Sequence, residues 1–276
     1  HTRFRNVTGV QTCALPIWAP VREPPMAEQL PRDAFTFPKA LRAAGYATGM
    51  AGKWHLTTNT DGNYVSLKAD AARFYGFDFS APPGPGSQNE GDKHVDYLTN
   101  QAIEFMRRER DRPWFFYLAH HTIHNTVSAP PALVEKYRSR GAPATGLHNA
   151  TYLAAIEHMD NSIGRLLATV DELGLREQTL VVFLSDNGGI YQGYDPAPFT
   201  QGSGTATQLQ IGQEQFNNAP LRAGKGSPYE GGLRVPCVVR WPGVIQPGRV
   251  DATPIHVRSE EHTSELQSRF GISYAV

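Results

Sequence analysis

Short, continuous apolar runs alternate along the chain with longer segments in which apolar residues recur every three or four positions. The runs have the length of buried strands, and they lie at Ala47–Ala51, Trp114–Ala119, Thr179–Leu184 and within Arg234–Trp241. Strands that alternate with helices favour parallel pairing with helices packed on both sides. The pattern therefore predicts an α/β fold with a largely parallel central sheet and helices on both faces.

Three segments have helical spacing. Phe37–Ala44 ends at Gly45, a residue type common just past a helix, and Asp96–Arg110 places Leu98, Ala102, Phe105 and Met106 on one side. The longest predicted helix, Tyr152–Leu173, ends at Gly174. Its expected core-facing stripe is Leu153, Ile156, Met159, Ile163, Leu166, Leu167 and Val170. Residues 57–95 and 188–218 are polar or rich in glycine, and we expect long irregular connections there.

Composition narrows the class of protein without identifying it. The chain has 276 residues, 40% hydrophobic and 19% charged, which suits one large α/β domain or two small ones. Its 26 basic and 26 acidic residues give no electrostatic reason to expect nucleic acid or a membrane surface as a partner. No apolar run approaches the roughly 20 residues that a membrane span needs. Two cysteines are too few for a disulfide framework or a cysteine metal cluster.

Both ends resemble translated sequencing-library adapter. Val7–Ile17 reads VTGVQTCALPI and Arg258–Ser268 reads RSEEHTSELQS. The first can be written in codons whose reverse complement encodes the second, a relationship that two unrelated biological termini would not share. Such segments are set aside before fold reasoning. We therefore expect residues 1–17 and 258–276 to be artefacts, and residues 18–257 to be an incomplete catalytic domain truncated at both ends.

Polar residues follow the ends of the predicted strands, where open α/β sheets place their ligands. Asp186 and Asn187 come after Thr179–Leu184 and offer the hard oxygen ligands that suit Ca²⁺ or Mg²⁺. Lys53 and His55 follow Ala47–Ala51, and alternation along an extended segment places them on the same side. A cation beside a titratable donor suits an anionic group such as sulfate or phosphate.

Two further groups carry candidate chemistry. His120, His121 and His124 follow Trp114–Ala119, but without an HExxH motif or an obvious further ligand they favour an anion contact or a general acid over zinc. Lys225 lies in a glycine-rich segment that lacks P-loop spacing, so nucleotide binding is not indicated. Each of these patterns, taken alone, is more typical of a turn or a solvated loop.

Taken in order, the motifs resemble the type I sulfatase family, which has the alkaline phosphatase-like fold. GYATGMAGKWHL at Gly45–Leu56 is similar to the second signature of the family, and LSDNGG at Leu184–Gly189 to its metal loop. HTIHNTVSAP resembles its histidine loop, and PLRAGKGSPYEGGLRVP its closing basic loop. The likeness extends over nearly all of residues 18–257.

The resemblance implies a role for each candidate residue. Lys53, His55, His124 and Lys225 would surround the sulfate of an aryl or carbohydrate sulfate ester, and Asp186 and Asn187 would bind Ca²⁺. The nucleophile of the family is a formylglycine made from Cys or Ser in a C/S-x-P-S/A-R motif. That motif does not occur in this sequence, since Cys13 begins CALPI, which has the wrong spacing. We therefore expect no sulfatase activity from this chain alone.

A sulfatase is the predicted parent protein, and two alternatives remain open from the sequence. The first is a phosphodiesterase or phosphonate hydrolase of the same superfamily, and the second is a homologue that binds without catalysis. The identity of the nucleophile would separate them, because a bare Thr or Ser favours phosphoryl chemistry. The particular ester, the compartment and the oligomeric state are not readable from these residues.

Overall fold

A small parallel sheet forms the centre of the fold. The computed structural model describes residues 30–54, 56, 69–81, 91–124, 127–144, 146–189, 218–225 and 227–255. Strand β1 (Ala47–Gly52) lies between β2 (Phe79–Ser80) and β3 (Trp114–Ala119), and both neighbours run parallel to it. β1 and β3 are in register from Ala47 opposite Trp114 to Gly52 opposite Ala119. Their carboxyl ends therefore meet at one edge of the sheet.

Helices cover this sheet on both faces, because successive side chains of a strand point to opposite sides. Met50 packs with Trp54, Tyr75 and Phe77 on the face that carries α1 (Phe37–Ala43) and α2 (Ala69–Phe74). Its neighbour Ala51 packs on the other face, beneath α3 (Val95–Arg108).

Close approach of α3 to the sheet requires a glycine in β1. A Cβ atom at Gly49 would lie 2.7 Å from ring carbons of both Phe105 and Phe116. The predicted apolar side of α3 is confirmed, since Leu98, Ala102, Phe105 and Met106 are all buried.

The longest helix, α5 (Ala150–Glu172), packs against α3 and against α4 (Pro131–Ser139). Most of its buried residues are small: Ala150, Ala154, Ala155, Ser162 and Thr169, with Val170 as the larger exception. The Ser162 hydroxyl is hydrogen bonded to that of Thr99 on α3. The predicted stripe of large residues is therefore only partly right: Val170 is buried, but Ile156 is exposed, because close helix packing selects small side chains.

Strands β4 (Val181–Leu184) and β5 (Cys237–Arg240) form a separate antiparallel pair, in register from Val181 opposite Arg240 to Leu184 opposite Cys237. A short 3₁₀ turn (Arg176–Gln178) precedes β4, and the short helix α6 (Glu230–Leu233) precedes β5. The strand predicted at Thr179–Leu184 is present as β4, but the prediction that it is buried is wrong. Val182, Phe183 and Leu184 are each at least 40% exposed.

One expected connection contains regular structure. Residues 57–95 were predicted to be irregular, yet α2 and β2 lie within them. Residues 57–68 and 82–90 of that stretch, most of 188–218, and the expected adapter segments fall outside the described residues. No helix in the described part of the chain is long and apolar enough to cross a membrane.

Candidate functional site

The end of β1 places Lys53 at the edge of the sheet. Gly52 has a φ of 102°, and a Cβ atom there would lie 2.1 Å from the carbonyl oxygen of Ala119. Glycine therefore lets the chain turn tightly, and the Lys53 amide donates to that same carbonyl at 2.9 Å. The Lys53 ammonium lies 3.8 Å from Oδ2 of Asp186, which follows β4. His55, predicted on the same side, lies outside the described residues.

His124 occupies a turn just beyond the carboxyl end of β3. Its amide donates to the carbonyl of His121 at 3.0 Å, and its own carbonyl accepts from the ammonium of Lys93 at 2.6 Å. Its ring nitrogen Nε2 lies 3.3 Å from Nζ of Lys225. The backbone of the turn is thus fixed at both polar groups of His124, and the ring faces a second cation.

Backbone contacts bind the Lys225 loop to the loop after β4. The Lys225 amide donates to the carbonyl of Gly189 at 2.9 Å. The side chain of Asn218 accepts from the Gly189 amide at 3.0 Å and donates to the carbonyls of Gly189 at 2.8 Å and Ala223 at 3.2 Å. Such a bidentate amide fixes one loop against the other. Asn218 is not predictable from sequence, because a single asparagine at the end of a long connection has no distinctive pattern.

The glycines of these loops allow the close approach. A Cβ atom at Gly188 would lie 1.7 Å from the carbonyl oxygen of Gly231, which is closer than any side chain permits. The amide of Gly188 instead donates to the carbonyl of Gly232 at 3.1 Å. Lys225 and Asp186 are therefore held near each other by main-chain contacts.

The charges of the site act on one another. Burial lowers the pKa of Lys225 below its ordinary value, the positive charge of Lys53 lowers it further, and the Asp186 carboxylate opposes both. Burial, and then the charge of Asp186, raise the pKa of Tyr117 on β3. Lys53, Asp186 and Lys225 therefore form one electrostatic group, although they come from three separate segments.

Asp186 and Asn187 suit a hard cation. The Asp186 side chain is 72% exposed, and its carboxylate faces Lys53 at 3.8 Å without a close hydrogen bond between them. Asn187 donates its side-chain nitrogen to the carbonyl of Gly188 at 2.9 Å, an arrangement that leaves its side-chain oxygen to act as a ligand. Ca²⁺ takes six to eight oxygen ligands, so these two residues fit part of such a site and leave the remaining ligands to come from elsewhere.

A second group of possible metal ligands lies between α3 and α5. Asp92, Asp96 and His158 bring their ligand atoms within 4.8 Å of one another. The carboxylate of Asp92, however, accepts from the amides of His94 at 3.0 Å and Asp96 at 2.9 Å. Burial would raise the pKa of Asp92, but these bonds and His158 hold it below its ordinary value. The arrangement caps α3, whose positive amino-terminal end disfavours a cation.

Two buried groups lie near this cap: Lys93, for which the sequence predicts no role, and His120, which the sequence groups with the candidate anion contacts and general acids. Lys93 is 1% exposed, and burial lowers its pKa to about 8. His120 has both ring nitrogens buried and without a hydrogen bond among the described residues. Burial first, and then the charge of His121, lower the pKa of His120 to about 4. His120 is therefore a neutral imidazole at physiological pH.

The chain as a whole matches one family. The sulfatase family model matches residues 3–267, which is most of the sequence. The chain therefore belongs to the sulfatase family, and membership of that family implies a metal ion. The predicted family is confirmed.

Curated relatives agree with this assignment. Arylsulfatase A of Homo sapiens is 28% identical over 282 residues, which cover 90% of this chain and 50% of that protein. Steryl-sulfatase of Mus musculus is 38% identical over 157 residues, which cover 57% of this chain and 22% of that protein. The chain thus spans half, or less, of the length of these relatives.

Solved structures confirm the predicted sulfatase fold. Ps i-CgsB aligns with a TM-score of 0.57 and 24% identity, over 79% of this chain and 50% of that one. The PsFucS1 sulfatase from Pseudoalteromonas sp. aligns with a TM-score of 0.52 and 20% identity, over 79% of this chain and 47% of that one. At this level of identity the similarity supports the fold and not a substrate.

Proposed function

We propose that this chain supplies the anion-binding residues and part of the metal site of a sulfatase that hydrolyses an aryl or carbohydrate sulfate ester. One observation carries the proposal: segments far apart in sequence bring Lys53 to Asp186 at 3.8 Å and Lys225 to His124 at 3.3 Å. His55 would join them as a further donor to the sulfate, as the resemblance to type I sulfatases implies.

The charges suit the reaction. A sulfate ester carries negative charge, and more of it develops on the leaving oxygen as the S–O bond breaks. Fixed cations that face this charge stabilise the transition state without needing to reorganise. Lys53 and Lys225 provide two such cations, and the loop contacts of Lys225 hold its backbone in place.

Lys225 and His124 are the candidates for proton transfer to the departing alkoxide or phenoxide. A general acid works best when its pKa lies near the working pH. Burial and the charge of Lys53 move the pKa of Lys225 in that direction. Because Nε2 of His124 lies within hydrogen-bond reach of Lys225, a proton that His124 gives up from Nε2 can be replaced from the Lys225 ammonium.

Asp186 and Asn187 would hold Ca²⁺ in this proposal. The bound ion would polarise a sulfuryl oxygen and favour the ionised nucleophile. The contribution of this chain is to fix two oxygen ligands on the loop after β4. The side-chain oxygen of Asn187, which accepts no hydrogen bond from the described residues, and the exposed carboxylate of Asp186 support that role.

The nucleophile is proposed to come from outside these 276 residues. No C/S-x-P-S/A-R motif, the source of formylglycine in type I sulfatases, occurs in the sequence. A chain with the anion cradle but without the nucleophile should bind a sulfate ester and leave it intact. Binding is therefore the property to test.

Calorimetric titration of the purified chain with 4-nitrophenyl sulfate tests the proposal. We expect binding that Lys225→Ala weakens roughly 10- to 100-fold, since a charge-assisted hydrogen bond is worth about 1.5–3 kcal/mol. Arg110→Ala is the matched control, because this exposed arginine lies near the start of β3, at the opposite edge of the sheet. No heat of binding from the sulfate, or equal loss in both variants, would refute the proposal. Stronger binding of 4-nitrophenyl phosphate would instead indicate phosphoryl chemistry.

A further inference from the structure

Lys93 is a buried cation without an evident role in packing. Its side chain is 1% exposed, and it forms no ion pair with a carboxylate in the described part of the chain. The acceptor of its ammonium is the backbone carbonyl of His124, at 2.6 Å. Removing an ammonium group from water without a counter-ion is unfavourable, and an apolar side chain of similar length would pack there at lower cost.

The backbone that presents Lys93 is also strained. Lys93 and His94 have φ values of 55° and 62°, in the left-handed region that residues other than glycine rarely adopt. Two consecutive residues of this kind are costly, and strain persists only where the surroundings impose it. Asp92 imposes it here by accepting from the amides of His94 and Asp96.

The strained turn also contacts the longest helix, α5. Nε2 of His158 on α5 lies 3.3 Å from Oδ2 of Asp92. A continuous set of contacts therefore runs from α5 through Asp92 and Lys93 to the carbonyl of His124. Beyond that carbonyl, the ring of His124 faces Lys225 at 3.3 Å.

We propose that Lys93 is a positioning residue, which holds the backbone of His124 so that its imidazole meets Lys225 in the sulfate cradle. The consequence for sulfate binding rests on the proposed function. The hydrogen bond from Lys93 to the His124 carbonyl does not depend on any ligand. Lys93 acts on the turn through its hydrogen bond to the His124 carbonyl. With the His124 amide bonded to His121, the carbonyl is the other backbone group that needs an anchor.

Lys93→Met is the variant that tests this role, because methionine keeps most of the volume and removes the donor. The readout is the ¹⁵N spectrum of the His124 ring, assigned by its disappearance in His124→Asn. We expect the His124 resonances to shift toward those of a solvated imidazole, and the affinity for 4-nitrophenyl sulfate to fall about 5- to 10-fold. The melting temperature should not fall, since a desolvated charge has been removed.

A merely structural lysine gives a different result. Unchanged His124 resonances together with unchanged affinity in Lys93→Met would overturn the proposal, as would loss of affinity that only accompanies a lower melting temperature. Should Lys93→Met fail to fold, Lys93→Gln takes its place, with a neutral donor that reaches less far and the same criteria. If the wild-type chain binds no sulfate ester, the proposed function fails, while the ring spectrum still decides whether Lys93 positions His124.

Discussion

Nζ of Lys225 lies 3.3 Å from Nε2 of His124, across 101 residues of sequence. An ammonium group only donates hydrogen bonds, so the ring nitrogen accepts, and the ring proton of a neutral His124 lies on Nδ1. This contact joins the turn after β3 to the basic loop. It assembles the candidate site from segments that have no local relationship to each other.

The first prediction concerns the pKa of Lys225. Because the charge of Lys53 lowers this pKa and that of Asp186 raises it, Lys53→Met should raise the pKa and Asp186→Asn should lower it. Titration of ¹³C-labelled lysine side chains in metal-free buffer measures both shifts. Arg110→Met, at the far edge of the sheet, should leave the pKa unchanged. Shifts of the same sign in both site variants would contradict the electrostatic account.

The second prediction separates the two possible metal sites. With two ligands from the described part of the chain, Asp186 and Asn187 should bind Ca²⁺ no more tightly than about 1 mM, so that 10 mM Ca²⁺ raises the melting temperature by at most about 2 °C. Asp186→Ala should abolish that increase. Asp96→Asn, in the group between α3 and α5, should keep it. The reverse pattern in differential scanning calorimetry would move the metal to Asp92, Asp96 and His158.

The third prediction follows from the buried ammonium of Lys93. Its pKa in the folded chain is about 8, against an ordinary value of 10.5, so the unfolded chain holds the proton more tightly between these values. Stability conferred by this residue is therefore lowest below pH 8 and rises as the pH approaches 10.5. Relative to Lys93→Met, the wild-type free energy of unfolding should gain about 3 kcal/mol between pH 7 and pH 10.5. Parallel urea titrations that give a constant difference across this window would rule out the buried charge.

The fourth prediction concerns the exposed strands β4 and β5. Val182 is 56% exposed and Val238 is 59% exposed, on strands whose backbone edges favour pairing with another chain. We expect self-association that rises with concentration in sedimentation velocity, and that Val238→Lys reduces. Val250→Lys is the control, because Val250 is 92% exposed but lies outside both strands. A wild-type chain that stays monomeric at every concentration would contradict this expectation.

Much of the central sheet was predictable, because β1 and β3 are continuous apolar runs that end at recognisable positions. Helix α2 and strand β2 were missed, since elements of six and two residues are stabilised by distant packing, through Tyr75 and Phe77, and not by local pattern. The core face of α5 was partly mispredicted for a similar reason. Close packing against α3 buries Ser162 and leaves Ile156 exposed.

The residues of the candidate site could be predicted from the sequence only because their motifs occur in a recognisable order. Lys53, His124, Asp186 and Lys225 were named from those motifs, and their proximity is a property of the fold. Lys93 had no such signal, because a single lysine in a polar stretch is normally solvated. Its burial depends on the strained turn at Lys93 and His94, which no spacing rule describes.

Titration of the labelled chain with 4-nitrophenyl sulfate, followed at three side chains at once, tests the central claim most directly. If Lys53, His124 and Lys225 form one cradle, their side-chain resonances should all shift and give a single dissociation constant, while Lys39 on α1 stays unperturbed. Different constants at the three residues, or a shift at only one of them, would contradict a shared sulfate site.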